Sequence, residues 1–340
     1  MLRMNRNERY YQQVITAIGY AMLLFLLLLN AFGLLFESLS QMLSTVSEPY
    51  ADVVFQVIYA AGYLLSFMLP VLVLKRMIGR AGYPYQSMQA ELRVSPWIFL
   101  LLPAAVTVIF SAAYFNSMMV SIFDYSSFSS DVLWGNTAEK PAVYMWVLDF
   151  ITICVVPGFC EEFLFRGAIL TNCRPFGRSN AILISAFLFA MMHQNAEQLF
   201  YAFIAGIFLG VVYEKTGNIW CCTVLHVFNN FLSTLEGMIF YKIDSLLVSS
   251  VAATLFEAAL YVLGSVALAT LVIFFFSKKE ALCDGIFDRD LPATDAYATH
   301  PIEPSRAVRL FFRVPMVVFL SLCVVETLLL IFLAMGYSYG

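Results

Sequence analysis

The chain has 340 residues, of which 61% are hydrophobic and only 12% charged. A soluble domain carries about 25% charged residues, so a soluble globular protein is excluded and the chain reads as an integral membrane protein. The formal net charge of −4 settles little, because in such a protein the placement of Lys and Arg carries the information.

At the N-terminus Arg3, Arg6 and Arg9 precede an apolar run from about Val14 to Phe36. The run is too long for the core of a signal peptide and no small-residue cleavage site follows, so it is expected to be a retained first span. A span needs about 20 largely apolar residues. Candidates lie near 14–36, 51–74, 97–123, 142–170, 180–196, 197–214, 218–240, 248–277 and 308–336. The expected class is therefore all-α, a polytopic transmembrane helical bundle of about 8–9 spans; a barrel would show period-two alternation. We divide the chain into N-terminal spans over 1–141, a core over 142–240 and C-terminal spans over 241–340. The last part holds a polar linker at 278–306, with Pro292, Pro301, Pro304 and a solvated His300.

Orientation follows from the basic residues. With the N-terminus cytoplasmic, the inner segments hold Lys75, Arg76, Arg80, Arg93, Arg174, Arg178, Lys278, Lys279, Arg289, Arg306 and Arg309, and the outer ones only Lys140 and Lys242. A multi-pass protein of the plasma membrane with its N-terminus inside is the expectation. Of the seven cysteines, Cys154, Cys160, Cys221, Cys222 and Cys323 fall within apolar runs and read as small buried hydrophobes. No CxxC spacing suggests a cysteine metal site.

The fourth span contains GFCEEFLFRG, residues 158–167. Charged groups at mid-bilayer cost roughly 2.5–3.5 kcal/mol each, so Glu161, Glu162 and Arg166 unpaired would cost about 8–10 kcal/mol. They must face protein or a water-filled cavity. Glu162 and Arg166 are four apart with the acid N-terminal, so they share a helix face and can neutralise each other. Glu161 is left on a neighbouring stripe, available for proton transfer. Taken alone, the stretch fits structural stitching as well as chemistry.

His193 and His226 also lie within apolar spans, and Asn230 follows His226 by four residues on the same face. At 1.5 Å per residue, Glu161 lies about 15 Å from Thr171, His193 about 20 Å from Asn180 and His226 about 12 Å from Asn218. Ionisable groups at one depth on three helices point to a site. Pro157 and Gly158 are expected to kink the helix and free a carbonyl. Gly206 and Gly210 form a GxxxG that reads as ordinary close packing.

Glu161-Glu162-x-x-x-Arg166, Phe189-x-x-x-His193 and His226-x-x-x-Asn230, in that order within spans, resemble the CAAX protease and bacteriocin-processing family. This is a membrane-embedded group that includes the type II CAAX prenyl endopeptidases and the Abi proteins, and the likeness covers about residues 142–240. The resemblance implies an intramembrane endopeptidase in which Glu161 and His193 hold and activate water. It implies further that His226 and Asn230 donate to the oxyanion, while Glu162 and Arg166 order the site. It leaves open a divalent metal such as zinc, for which Glu161, His193 and His226 would be the ligands. Without an HExxH pair on one helix face, we favour a metal-independent, glutamate-activated water. The expected partners are a peptide or protein substrate in or at the membrane and the lipid bilayer, with no nucleic acid. The active site is expected in the inner half of the bilayer.

Two other classes compete. A proton- or ion-coupled transporter would use intramembrane acids such as Asp149, Glu257 and Glu326, but no inverted repeat accompanies them. A non-catalytic immunity or scaffold protein would not need the intact set of Glu161, His193, His226 and Asn230.

Overall fold

The computed structural model describes residues 4–43, 50–88, 102–109, 111, 143–242, 302–337 and short stretches within 251–270. Helix α1 (Arg6–Leu43) begins at a reciprocal cap. The Glu8 amide donates to Asn5 Oδ1 at 2.8 Å and the Asn5 amide to Glu8 Oε2 at 3.0 Å, which satisfies amides that a helix start leaves orphaned. Helix α2 (Tyr50–Arg80) stops where Gly82 takes φ +76°. The Tyr83 amide then reaches back to the Ile78 carbonyl and the Gly82 amide to that of Gly79, a C-cap that glycine adopts without steric cost.

Residues 143–173 form one continuous helix, α3, of mixed hydrogen bonding. It is α-helical over Val143–Asp149, Val156–Glu162 and Thr171–Cys173, and π-helical over Phe150–Val155 and Phe163–Leu170. Helices α4 (Arg178–Met191), α5 (Ala196–Thr216) and α6 (Ile219–Lys242) follow with short turns. Asn218 Oδ1 accepts from the Trp220 amide at 2.9 Å to start α6. The C-terminal part supplies α7 (Pro304–Phe311) and α8 (Val314–Tyr337).

All of these elements are helical, and no strand ladder occurs among the described residues. Among those residues, Arg6–Leu39, Tyr50–Arg80 and Val314–Phe332 are long and apolar enough to cross a membrane, while Arg178–Met191 and Gln198–Glu214 are shorter apolar helices. The spans expected near 97–123 and 248–277, the linker up to residue 301 with His300, and Glu257 lie largely or wholly outside the described residues. Two expectations change. Residues 304–306, read as linker, are the first turn of α7, since Pro304 is favoured at a helix start. The run 308–336 is broken rather than continuous. Phe312 adopts φ −77°, ψ 67° and the Arg313 amide donates to the Phe311 carbonyl at 2.8 Å, an inverse γ-turn.

The packing joins α1 to both α2 and α8, α4 to α5, and α3 to α2, α4 and α6. One end of the bundle is tied by aromatics. Tyr10 stacks on Tyr83 at 4.2 Å, and Phe176 meets Tyr10 and Tyr11 edge-on at 4.9 and 5.1 Å. The Ile302 amide donates to the Phe176 carbonyl at 3.3 Å, and Arg306 pairs with Glu8. This end also bears Arg80 and Arg174, so basic residues gather there.

At Gly19 of α1 a Cβ would lie 2.7 Å from the Met316 amide nitrogen of α8. Gly19→Ala therefore forces the helices apart, and it is expected to lower the melting temperature of the purified protein, consistent with about 1–3 kcal/mol of overpacking. Gly33→Ala, where a Cβ meets nothing within 4 Å, is expected to leave it unchanged. Equal melting of the two variants would refute this account of the α1–α8 contact.

Candidate active site

The site is built on the middle of α3. Arg166 is fully buried at 0% exposure, as is Glu162. Their i, i+4 spacing joins Arg166 Nη1 to Glu162 Oε1 at 2.8 Å. The guanidinium also donates from Nη2 to the Gly206 carbonyl at 3.2 Å and lies 4.6 Å over the Phe189 ring, a cation–π contact strengthened by exclusion of water. Gly206 is thus more than a spacer. A Cβ there would lie 2.8 Å from the Ala186 Cα, so its absence lets α5 close on α4 and carry the carbonyl to Arg166.

From α6, His226 enters between the two glutamates. Its Nδ1 is 2.8 Å from Glu162 Oε1 and its Nε2 is 3.8 Å from Glu161 Oε2. The carboxylate can only accept, which places a proton on Nδ1. Glu161 is 5% exposed. Its Oε1 accepts from the Tyr63 hydroxyl of α2 at 2.5 Å, and its Oε2 has no hydrogen-bond partner among the described residues. The two acids therefore differ in what holds them. Glu162 takes a guanidinium and an imidazole on one oxygen, while Glu161 takes a phenol on one oxygen and turns the other toward His226.

His193 lies in the turn after α4 and not inside a helix, because α4 ends at Met191 and Gln194 takes φ 53°. The Phe189 carbonyl accepts from its Nδ1 at 2.8 Å, which leaves Nε2 as the free ring nitrogen. His193 is within electrostatic range of Glu161 and His226. Phe189 ties the group together: its ring is 5.1 Å from that of His193 and 5.8 Å from that of His226. Asn230 is placed differently from the glutamates' other neighbours. Its Nδ2 donates to the Ile153 carbonyl of α3 at 3.3 Å. Pro157 has no N–H for that carbonyl, four residues back, so the amide serves a group that the proline leaves short.

The helix runs on through Pro157. Val155 and Val156 keep helical dihedrals, and the preceding π-helical turn absorbs the missing bond; such turns concentrate at functional sites. At Gly158 a Cβ would stand 2.6 Å from Val227 Cγ2 and 3.1 Å from the Val227 amide nitrogen. Only glycine lets α6 approach closely enough to seat His226. Sequence reasoning missed Tyr63 as a site component, and it noted Phe189 as a motif position without the ring contacts to Arg166 and the two histidines. Tyr63 is one of 18 tyrosines on a helix far away in the chain, and only its hydroxyl in an apolar run distinguishes it.

Among the described residues no group of three His, Cys, Asp or Glu gathers as a ligand set, while His193 and His226 each give Nδ1 to a protein acceptor, the bond that orients an imidazole for use of its Nε2. Of the other intramembrane acids, the two among the described residues are hydrogen-bonded elsewhere. Asp149 accepts from Gln56 Nε2 at 2.9 Å and Glu326 from Asn30 Nδ2 at 3.2 Å.

Removing one member of a buried pair is costlier than removing both. Arg166→Ala is expected to destabilise the protein by about 3–5 kcal/mol because Glu162 stays buried and loses its countercharge. Adding Glu162→Gln should recover part of the loss. Thermal unfolding in detergent or nanodiscs measures both, and an Arg166→Ala protein as stable as the parent contradicts the pairing.

Among known proteins, residues 143–232 match the family model described as type II CAAX prenyl endopeptidase Rce1-like. No curated protein and no solved structure matches the chain. The matched residues contain Glu161, Glu162, Arg166, His193, His226 and Asn230. Through that segment, about a quarter of its length, which carries the buried acid–guanidinium–imidazole cluster, the chain is similar to the type II CAAX prenyl endopeptidases.

Proposed function

We propose that the protein is an intramembrane endopeptidase that hydrolyses a peptide bond in a membrane-anchored or lipid-modified, CAAX-like substrate. The observation that carries this reading is the asymmetry of the two acids. Each acid keeps one buried oxygen without a hydrogen-bond partner among the described residues, but Glu162 is neutralised by Arg166 and held by His226 at 2.8 Å, whereas Glu161 has no guanidinium and is held by the Tyr63 phenol with Oε2 turned toward His226. Hydrolysis needs a base for water and donors for the oxygen that becomes negative.

In this reading Glu161 Oε2 takes the proton of the attacking water, and the free Nε2 of His193 helps to hold that water. His226 presents Nε2 at the same place. Its Nδ1–H to Glu162 sets the ring's orientation, and Nε2, when it carries a proton, would donate to the tetrahedral oxyanion. Asn230 has a second N–H beyond its bond to Ile153 and would serve as the other donor. The proton taken by Glu161 passes to the leaving amine as the C–N bond breaks. Glu162 and Arg166 order the site without touching the substrate.

The chemistry is read as metal-independent because no HExxH pair fixes two histidines on one helix face. The site is placed in the inner half of the plasma membrane with the N-terminus cytoplasmic. The clustering of basic side chains at the end of the bundle near Tyr10 and Phe176 supports that placement.

Glu161→Gln is expected to abolish cleavage of a farnesylated CAAX peptide or a membrane-anchored reporter while the protein still purifies as a folded, monodisperse species. Full activity in that variant would overturn the base assignment. Exhaustive treatment with EDTA and 1,10-phenanthroline is expected to leave the parent's rate unchanged. A rate lost to chelation and restored by zinc would replace the metal-independent reading with a metal-dependent one.

A further inference from the structure

Helix α2 lies outside the segment that matches the family model, yet it makes the shortest contact to the proposed base. The Tyr63 hydroxyl donates to Glu161 Oε1 at 2.5 Å. The ring that carries this hydroxyl is held in a column of aromatics along one face of α2. Tyr63 stacks on Tyr59 at 6.0 Å and on Phe67 at 4.7 Å, at the i, i+4 spacing of a helix face. Phe67 meets Phe25 of α1 edge-on at 4.8 Å, and both of these are 1% exposed. The column is thus anchored in the core between α1 and α2. Ser66, one turn along, bonds back to the Gly62 carbonyl at 2.9 Å, and a Cβ on Gly62 would lie 2.8 Å from Phe32 of α1. The backbone beneath Tyr63 is therefore set by close helix contact.

A glutamate side chain has a freely turning terminal carboxylate. Left alone in a cavity beside His226, Glu161 could present either oxygen at many angles. Tyr63 removes that freedom by engaging Oε1, and Oε2 is then the oxygen turned toward His226 Nε2, 3.8 Å away.

We propose that Tyr63 is a positioning residue for Glu161: its hydroxyl locks one carboxylate oxygen so that the other addresses the attacking water. The family-model segment alone therefore lacks part of the working site, and α2 completes it. The inference rests on the reading of Glu161 as the base. Misplacing a reacting group by about 1 Å can cost on the order of 100-fold in rate, so a hydroxyl that touches no substrate can still govern turnover.

The test uses the full-length protein in nanodiscs with a fluorogenic farnesylated CAAX peptide as probe. Tyr63→Phe keeps the aromatic column and deletes only the hydroxyl. It is expected to lower kcat at least tenfold with KM unchanged within twofold, a split that simple loosening of the fold would not produce. A kcat within twofold of the parent, in a preparation where Glu161→Gln is inactive, overturns the proposal. Thermal melting of Tyr63→Phe, Glu161→Leu and the double variant tests the contact without requiring cleavage. The loss caused by Tyr63→Phe should vanish or reverse once Glu161 is Leu, and an equal loss in both backgrounds also overturns the proposal. A parent that cleaves no reporter, or an active Glu161→Gln protein, counts instead against the hydrolase reading, and the melting cycle then decides the Tyr63 contact by itself.

Discussion

A guanidinium with no access to solvent, in a helix surrounded by apolar neighbours, must have its charge answered by protein. Arg166 meets that demand in three directions: the Glu162 carboxylate, the Gly206 carbonyl and the face of Phe189. Each belongs to a different element, so the requirement for charge neutrality fixes α3, α4 and α5 against one another. The glutamate so recruited passes the constraint on to α6, because the same Oε1 that takes Arg166 also takes His226 Nδ1. In a low-dielectric interior such a chain is strong when complete and expensive when broken. The arrangement leaves Glu161 outside the chain of compensation.

Glycines decide whether these helices can come close enough. Gly206 lets α5 rest on Ala186 of α4 and Gly158 lets Val227 of α6 rest on α3, and in each case the close approach delivers a site group, the Gly206 carbonyl or His226. Apolar side chains gain little from leaving lipid, so contact between membrane helices depends on small residues and hydrogen bonds. Helix α3 has the further difficulty of Pro157. Its π-helical turns and the amide of Asn230 meet that difficulty together, so a residue expected only at the oxyanion also has a structural partner in the Ile153 carbonyl.

The aromatic tie at the basic end serves a different purpose. Tyr10, Tyr11, Tyr83 and Phe176 bring the start of α1, the end of α2 and the end of α3 together. Asn172 bonds both the amide and the carbonyl of Gln86 in the segment that follows α2. With both ends of this contact secured, α2 is held alongside α3, which is the condition for Tyr63 to reach Glu161. The site thus depends on contacts well removed from it.

Much of the site could be read from residue order because its central pair is local. Glu162 and Arg166 meet through helical periodicity alone, and that periodicity, with the shortage of charge, also determined an all-helical membrane protein. The depth of the histidines could be estimated from rise per residue, but their orientation could not. His193 lies past the end of its helix, and whether an imidazole there faces Glu161 depends on the turn at Gln194. Tyr63, the ring contacts of Phe189 and the Gly206 carbonyl became visible only in three dimensions. Their roles follow from the register of one helix against another, which side-chain packing sets and sequence spacing does not encode. By itself the sequence determined the solvent, the secondary structure and which charged groups share a helix face. The tertiary structure alone decided that Glu162 also takes an imidazole from α6 and that Glu161 is held by a phenol from α2.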